Sequence, residues 1–187
     1  LRMKLHKTPL DGFLVIEPNL FLDDRGFFLE TYQEERYCKA GIIDKFVQDN
    51  HSRSAEGVLR GMHFQIKNPQ AQIITIMSGS VYYVCIDLRR NSNTFGRWHG
   101  VELSDKGMMQ MYMAPGFAGG FCVLDGVADL HYKVSGAYDP YDEGGLVWND
   151  PDIAIQWPSK INNISDRDEK FPKLINLEAD ELPRINL

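Results

Sequence analysis

Three residues in this chain have side chains suited to moving protons. His63 lies in Gly57-Val58-Leu59-Arg60-Gly61-Met62-His63-Phe64-Gln65, where period-two alternation places Leu59, His63 and Gln65 on one face of a strand. An imidazole titrates near neutral pH, so it can take and return a proton; it can equally be a histidine hydrogen-bonded inside the fold. Tyr132 lies in Ala128-Asp129-Leu130-His131-Tyr132-Lys133-Val134 and shares a face with Ala128, Leu130 and Val134, opposite His131 and Lys133. Its phenol is either a general acid aimed into a cavity or a core aromatic whose hydroxyl is satisfied at a rim. Asp168 follows Ser165 by three residues, the spacing of a capping box that opens a short helix. The same carboxylate could instead accept a hydrogen bond from a histidine and set its tautomer.

Anion binding has three candidates. Arg25, Arg60 and Arg167 sit beside turn glycines or caps rather than on a charge-striped face, and guanidinium forks match diphosphate geometry. The stretch around Gly116 and Gly120 lacks the Lys-Ser/Thr of a phosphate loop, so Gly119-Gly120 reads as a bulge or bend. Histidine spacing does not suit a metal: His63 has no second His two residues on, and His51, His99 and His131 stand on other segments without an HxH or ExxH relation. No metal ligands are therefore assigned.

These residues need a scaffold of strands. Strand-length pieces run over 58–65, 72–77, 80–88, 100–103, 108–113, 120–124 and 127–135, separated by Ser78-Gly79, Asn91-Ser92-Asn93, Ser104-Asp105, Pro115-Gly116 and Asp125-Gly126. Gly79 and Asp125-Gly126 can take the positive φ of tight hairpin turns. Earlier, Asp23-Asp24-Arg25-Gly26 is a turn leading into a strand over 27–31, and Thr31 with Glu34 and Gly41 would start and stop one short helix. The last 30 residues read as turns and one short helix packed outside. The fold expected is all-β: a jelly-roll barrel, two sheets closing over an open-ended cavity, with a few short peripheral helices.

At 187 residues, with no repeat or linker, residues 1–187 read as a single domain, and a compact domain of this size buries roughly 70% of the surface its unfolded chain exposes. Twenty basic against twenty-six acidic residues give a net charge of −6, which argues against nucleic acid or an anionic membrane as partner. Any anionic ligand must be held by a few placed cations. No apolar run is long enough to span a bilayer, the first twelve residues lack the apolar stretch of a signal peptide, and Cys38, Cys85 and Cys122 show no CxxC pairing. The expected location is the cytoplasm.

Taken together, seven ordered blocks resemble one family. They are Asp24-Arg25-Gly26-Phe27-Phe28-Leu29-Glu30, Val47-Gln48-Asp49-Asn50-His51-Ser52, the Gly57 to Gln65 block above, Ser92-Asn93-Thr94-Phe95-Gly96-Arg97-Trp98, Tyr132-Lys133 with Tyr138-Asp139-Pro140, Trp148-Asn149-Asp150-Pro151-Asp152 and Ser165-Asp166-Arg167-Asp168. Over about 9–172 the chain is similar to the dTDP-4-dehydrorhamnose 3,5-epimerases. The resemblance implies a cupin-type jelly roll, a homodimer, no metal or organic cofactor, and a place in deoxysugar or surface-polysaccharide (O-antigen, lipopolysaccharide) biosynthesis. It further implies isomerase activity on a nucleoside-diphosphate-linked 4-keto-6-deoxy sugar at C3, C5 or both. Carried over by motif position, His63 is the base, Asp168 its orienting carboxylate and Tyr132 the acid. Arg25, Phe28, Glu30, Gln48, Asn50, Arg60, Tyr138, Glu143 and Arg167 fall where the family holds nucleotide, diphosphate or sugar, and the strand from Arg25 to Glu30 would serve the neighbouring subunit.

Two positions depart from the family pattern. Gln72 stands where a Lys is usual, and Gly119 replaces the imidazole of a Gly-Phe-Ala-His-Gly-Phe block. Gln72 is kept among the substrate-binding residues because its amide can still donate. A charge-assisted donor is roughly twice as strong, so oxyanion support is weakened. Gly119 is expected to leave open space. These departures point to altered substrate or positional scope; the alternatives are a catalytically impaired sugar-nucleotide-binding cupin and a metal-dependent cupin enzyme.

Overall fold

A computed structural model of the chain describes residues 3–185. Its strands are β1 (Lys4–Lys7), β2 (Phe13–Glu17), β3 (Leu20–Asp23), β4 (Gly26–Leu29), β5 (Gln48–Ala55), β6 (Leu59–Gln65), β7 (Gln72–Asp87), β8 (Trp98–Ser104), β9 (Gln110–Met113), β10 (Phe117–Val134) and β11 (Glu143–Gly145). Helices are short: α1 (Glu34–Ala40), α2 (Asp166–Glu169) and one 3-10 turn (Leu174–Asn176).

The architecture follows from β7 and β10, which pair antiparallel along nearly their whole length, from Phe117 opposite Asp87 to Val134 opposite Gln72. Both bend in the middle. Residues 72–78 of β7 and 127–134 of β10 join β9, β2 and β1 on one side and β5 on the other, forming one layer. Residues 80–87 and 117–123 join β8 on one side and β6 with β11 on the other, forming the second. A continuous antiparallel sheet thus folds over on itself as a jelly roll.

Alternation along each half fills the space between layers. Ile74, Ile76 and Leu130 from the first layer meet Tyr83, Cys85, Phe121 and Val123 from the second, with Phe13 and Met111 among them. The intervening residues face outward and are covered in turn. Val84 and Ile86 lie under Leu146, Ile153 and Leu182 from the C-terminal segment, while Ile73 and Ile16 lie under Tyr37 of α1 and Ile42. Burial on both faces explains why β7 reads as a nearly unbroken apolar run.

Two expected hairpin turns are bends within strands. Gly79 has φ +81° and Gly126 φ +59°, the left-handed values anticipated, yet each strand continues through the bend. Gly79 is further required because a Cβ there would stand 2.3 Å from the Val127 carbonyl oxygen of the adjacent strand. The helix also starts later than Thr31. Gln33 caps α1 by accepting the Arg36 N–H at 2.7 Å, and the Thr31 carbonyl instead accepts from the Tyr37 hydroxyl and the Gln110 amide. Gly41 terminates α1, as expected. No helix among the described residues is long and apolar enough to cross a membrane.

Candidate active site

Beside the apolar core, the inner faces of the two layers leave a cavity of about 340 Å³. Its walls carry His63 and Arg60 from β6, Tyr132 from β10, and Gln48 and Asn50 from β5. Gln72, Tyr138, Glu143 and Arg167 complete the polar lining. His63 belongs to the second layer and Tyr132 to the first, so imidazole and phenol reach the cavity from opposite layers of the folded-over sheet.

Asp168 stands behind His63. Its Oδ1 lies 2.9 Å from His63 Nε2, and its Oδ2 accepts the Gly61 N–H at 3.0 Å. The capping interpretation holds at the same time: Ser165 Oγ accepts the Asp168 N–H at 3.1 Å and opens α2. The helix cap fixes the backbone, which leaves the carboxylate free to reach β6. Burial disfavours ionisation of Asp168, but hydrogen bonds from His63 and Gly61 outweigh it and hold the carboxyl well below the usual carboxylate range. An ionised carboxylate accepts only, so the proton of the neutral imidazole resides on Nε2 and Nδ1 keeps its lone pair. Arg167 Nη2 comes within 3.2 Å of the same Nε2 because both groups are drawn to Asp168, whose Oδ1 also accepts from Arg167 Nε at 3.3 Å. Phe171 packs edge-on against the imidazole at 5.7 Å between ring centroids.

Around the opening a second set of contacts links the remaining side chains. Tyr138 donates its hydroxyl to Glu143 Oε2 at 2.9 Å, the same oxygen that accepts from Arg167 Nη1. Glu143 Oε1 is 3.9 Å from His63 Nδ1. The Gln48 amide donates to Asn50 Oδ1 at 2.8 Å and its oxygen accepts the Tyr138 N–H at 3.0 Å. Arg60 is braced by the Ser54 hydroxyl and the Arg53 carbonyl. Tyr132 is half-buried; burial raises its phenol above the ordinary value, with Arg60 opposing and Glu143 reinforcing the shift. It therefore holds its proton at neutral pH, and Arg60 is placed to stabilise the phenolate left after proton donation.

Three predicted binding residues lie elsewhere in the chain. Arg25 folds onto Asp23 in the β3–β4 turn, Phe28 is 68% exposed on β4, and Glu30 pairs with Arg36 of α1. Within one chain none of them lines the His63 cavity.

Gly119 does line the cavity but does not leave it open. A Cβ at that position would stand 2.6 Å from the Tyr83 hydroxyl and 3.1 Å from the Met113 methyl, so these two side chains fill the space. The expected bulge is present, since β10 shifts register against β6 between Gly119 and Phe121. Sequence reasoning missed Tyr83 and Met113 as lining residues. Tyr83 was legible in principle, because alternation puts it on the same face as Val81 and Cys85. Among the described residues no three His, Cys, Asp or Glu side chains gather as metal ligands; His51 pairs with Asp129, and His131 lies 3.8 Å from Asp49.

Comparison with known proteins gives a consistent result. The family model described as dTDP-4-dehydrorhamnose 3,5-epimerase matches residues 7–176. A dTDP-4-dehydrorhamnose 3,5-epimerase of Methanothermobacter thermautotrophicus is 42% identical over 171 residues, covering 90% of this chain and 92% of its own. A dTDP-4-dehydrorhamnose 3-epimerase of Streptomyces niveus is 38% identical over 169 residues, covering 89% of this chain and 82% of its own. The crystal structure of a 3,5-epimerase from Legionella pneumophila, in complex with dTDP-4-keto-L-rhamnose, superimposes with a TM-score of 0.95 at 40% identity and covers 100% of both chains.

Proposed function

Because the chain belongs to the dTDP-4-dehydrorhamnose 3,5-epimerase family, we propose that His63 and Tyr132 invert a carbon next to the C4 ketone of a nucleotide-linked 4-keto-6-deoxy sugar held between them. The chain is an isomerase of sugar nucleotides. The ketone acidifies hydrogens on C3 and C5, and His63 Nδ1, whose lone pair is left free by the Asp168 contact, takes one of them. The electron pair moves into the ring as an enolate with its charge on the C4 oxygen. Tyr132 then returns a proton to the same carbon from the opposite face, and exchange with solvent resets both side chains. One observation carries this reading: an imidazole and a phenol from opposite layers share one cavity, and the imidazole is locked by a buried carboxylate.

The diphosphate is assigned to Arg60 and Arg167 at the cavity wall. The sugar is assigned to Gln48, Asn50, Gln72, Tyr138 and Glu143. Arg25, Phe28 and Glu30 are assigned to the site of a second copy. Phe21, Leu22, Phe27 and Phe28 leave the β3–β4 hairpin broadly apolar and exposed, which supports its insertion against a partner subunit in a homodimer. Residues 1–187 are taken to act as one domain of a cytoplasmic enzyme. Gln72 and Gly119, departing from the family pattern, support unequal turnover at C3 and C5.

The test is deuterium wash-in. In heavy water with dTDP-4-keto-6-deoxyglucose, nuclear magnetic resonance should show deuterium entering C3 or C5, with different rates at the two carbons. His63→Ala and Tyr132→Phe should each abolish or redirect the exchange. Full exchange in both variants would overturn the residue assignment, and ligand binding without exchange in the wild type would leave a binding protein.

A further inference from the structure

The negative charge that gathers on a ketone oxygen during proton abstraction needs a donor within the cavity. Gln72 offers only a neutral amide, and the two arginines of the lining, assigned above to the diphosphate, are held at the cavity wall by protein partners. Arg60 donates to Ser54 and the Arg53 carbonyl, and Arg167 donates to Glu143 and Asp168. The deeper wall is built from Tyr83, Phe121, Met113 and Gly119.

Tyr83 stands out in that wall. It lies on the inner face of β7, opposite Phe121 in the β7–β10 register, and its ring stacks on Phe121 at 6.1 Å with an interplanar angle of 18°. The side chain is buried, at 5% exposure, yet lines the cavity. Among the described residues no protein atom hydrogen-bonds its hydroxyl. The hydroxyl itself is open to the cavity, so its hydrogen-bonding capacity is left for a ligand or water there. Its surroundings also look arranged for it. The absent side chain of Gly119 is what makes room for the hydroxyl, and Met113, contacted by the Cys85 thiol at 3.3 Å, closes the other side.

Resting on the epimerase reading above, we propose that Tyr83 is a further catalytic residue, whose hydroxyl donates a hydrogen bond to the C4 oxygen of the substrate and stabilises the enolate. The proton stays on Tyr83 Oη throughout; His63 and Tyr132 carry the transfers. Gly119 acts as its positioning residue by keeping the space beside the hydroxyl empty. Burial also holds the Tyr83 phenol well above its ordinary value, so it remains a donor at neutral pH.

The experiment measures kcat, KM and deuterium wash-in for the full chain with dTDP-4-keto-6-deoxyglucose. Tyr83→Phe keeps the ring stacked on Phe121 and removes only the donor; kcat should fall by about 100-fold with KM little changed. Gly119→Ala should also lower kcat, because its methyl displaces the hydroxyl. In the Tyr83→Phe background the same alanine should cost much less, since the displaced donor is already gone. Wild-type turnover by Tyr83→Phe, or losses that simply multiply in the double variant, would overturn the proposal while leaving the epimerase reading intact. If Tyr83→Phe does not fold, as judged by circular dichroism, Gly119→Ala alone decides: an unchanged kcat overturns the role and a reduced kcat supports it. A wild-type protein that exchanges neither C3 nor C5 would sink both the family chemistry and this inference.

Discussion

The His63 imidazole and the Asp168 carboxylate, 105 residues apart in sequence, meet at 2.9 Å. The contact joins β6 to the four-residue helix α2, and it does two things at once. It fixes the imidazole tautomer so that Nδ1 is the basic atom, and it offsets the burial of a charged carboxylate.

Asp168→Asn should therefore impair chemistry more than binding. An amide can present its NH₂ group to the ring and favour the wrong tautomer, so kcat should drop by at least about 100-fold. Steady-state kinetics that showed a raised KM with unchanged kcat would contradict this orienting role.

The same residue sets an acid limit on stability. Its folded carboxyl is held well below the unfolded value of about 3.9, so its contribution is present in full above that value and is lost as pH falls toward the folded one. Urea unfolding of the wild type and Asp168→Asn should differ most above about pH 5 and converge below about pH 4. A difference that widened on acidification would have the wrong sign.

Tyr132 governs the alkaline side. Because burial raises its phenol, the alkaline limb of the kcat profile should lie above about 10, the ordinary tyrosine value. Arg60 opposes that rise, so Arg60→Gln should push the limb further upward. A limb below the ordinary value would remove Tyr132 as the acid.

Gln72→Lys should strengthen oxyanion support by placing a cation at the start of β7, beside the cavity. With dTDP-4-keto-6-deoxyglucose the expected gain in kcat is about tenfold. A loss of activity with intact folding would mean that the neutral amide is tuned to this enzyme's own substrate.

The β3–β4 hairpin gives a test of assembly. Replacing Phe27 and Phe28 together by Asp should leave the fold intact, because both rings are exposed in one chain. Sedimentation velocity should show dimers for the wild type and monomers for the variant, with a raised KM. A wild type that sediments as a monomer would remove the shared-site assignment of Arg25, Phe28 and Glu30.

Much of this protein was legible from local rules. Period-two alternation holds for the face carrying Leu130 and Tyr132, the register slip at Gly119-Gly120 matches the expected bulge, and Gly41 ends α1. These follow from backbone sterics and side-chain periodicity, which act over a few residues. The alternation fails on β6, where that slip puts Arg60, opposite Phe121, beside His63 and Gln65 on the cavity wall while Leu59, opposite Cys122, lies on the other face. The bends at Gly79 and Gly126 were misread as hairpins because positive φ serves a turn and a strand bend equally; only the pairing of β7 with β10 on both sides of the bend distinguishes them.

Tertiary structure decided what sequence could not. Whether the Ser165-to-Asp168 segment merely opens a helix or also holds an imidazole depends on where β6 passes, and it does both: Ser165 caps α2 through the Asp168 N–H while the Asp168 carboxylate reaches His63. Gly119 looked like vacant space until the fold brought Tyr83 and Met113 against it from β7 and the end of β9. Bringing His63 and Tyr132 to one cavity from opposite layers requires the folded-over sheet itself. Such contacts are set by long-range strand register, where the cost of closing large loops is offset by burial of the whole core, and no short window of sequence contains that balance.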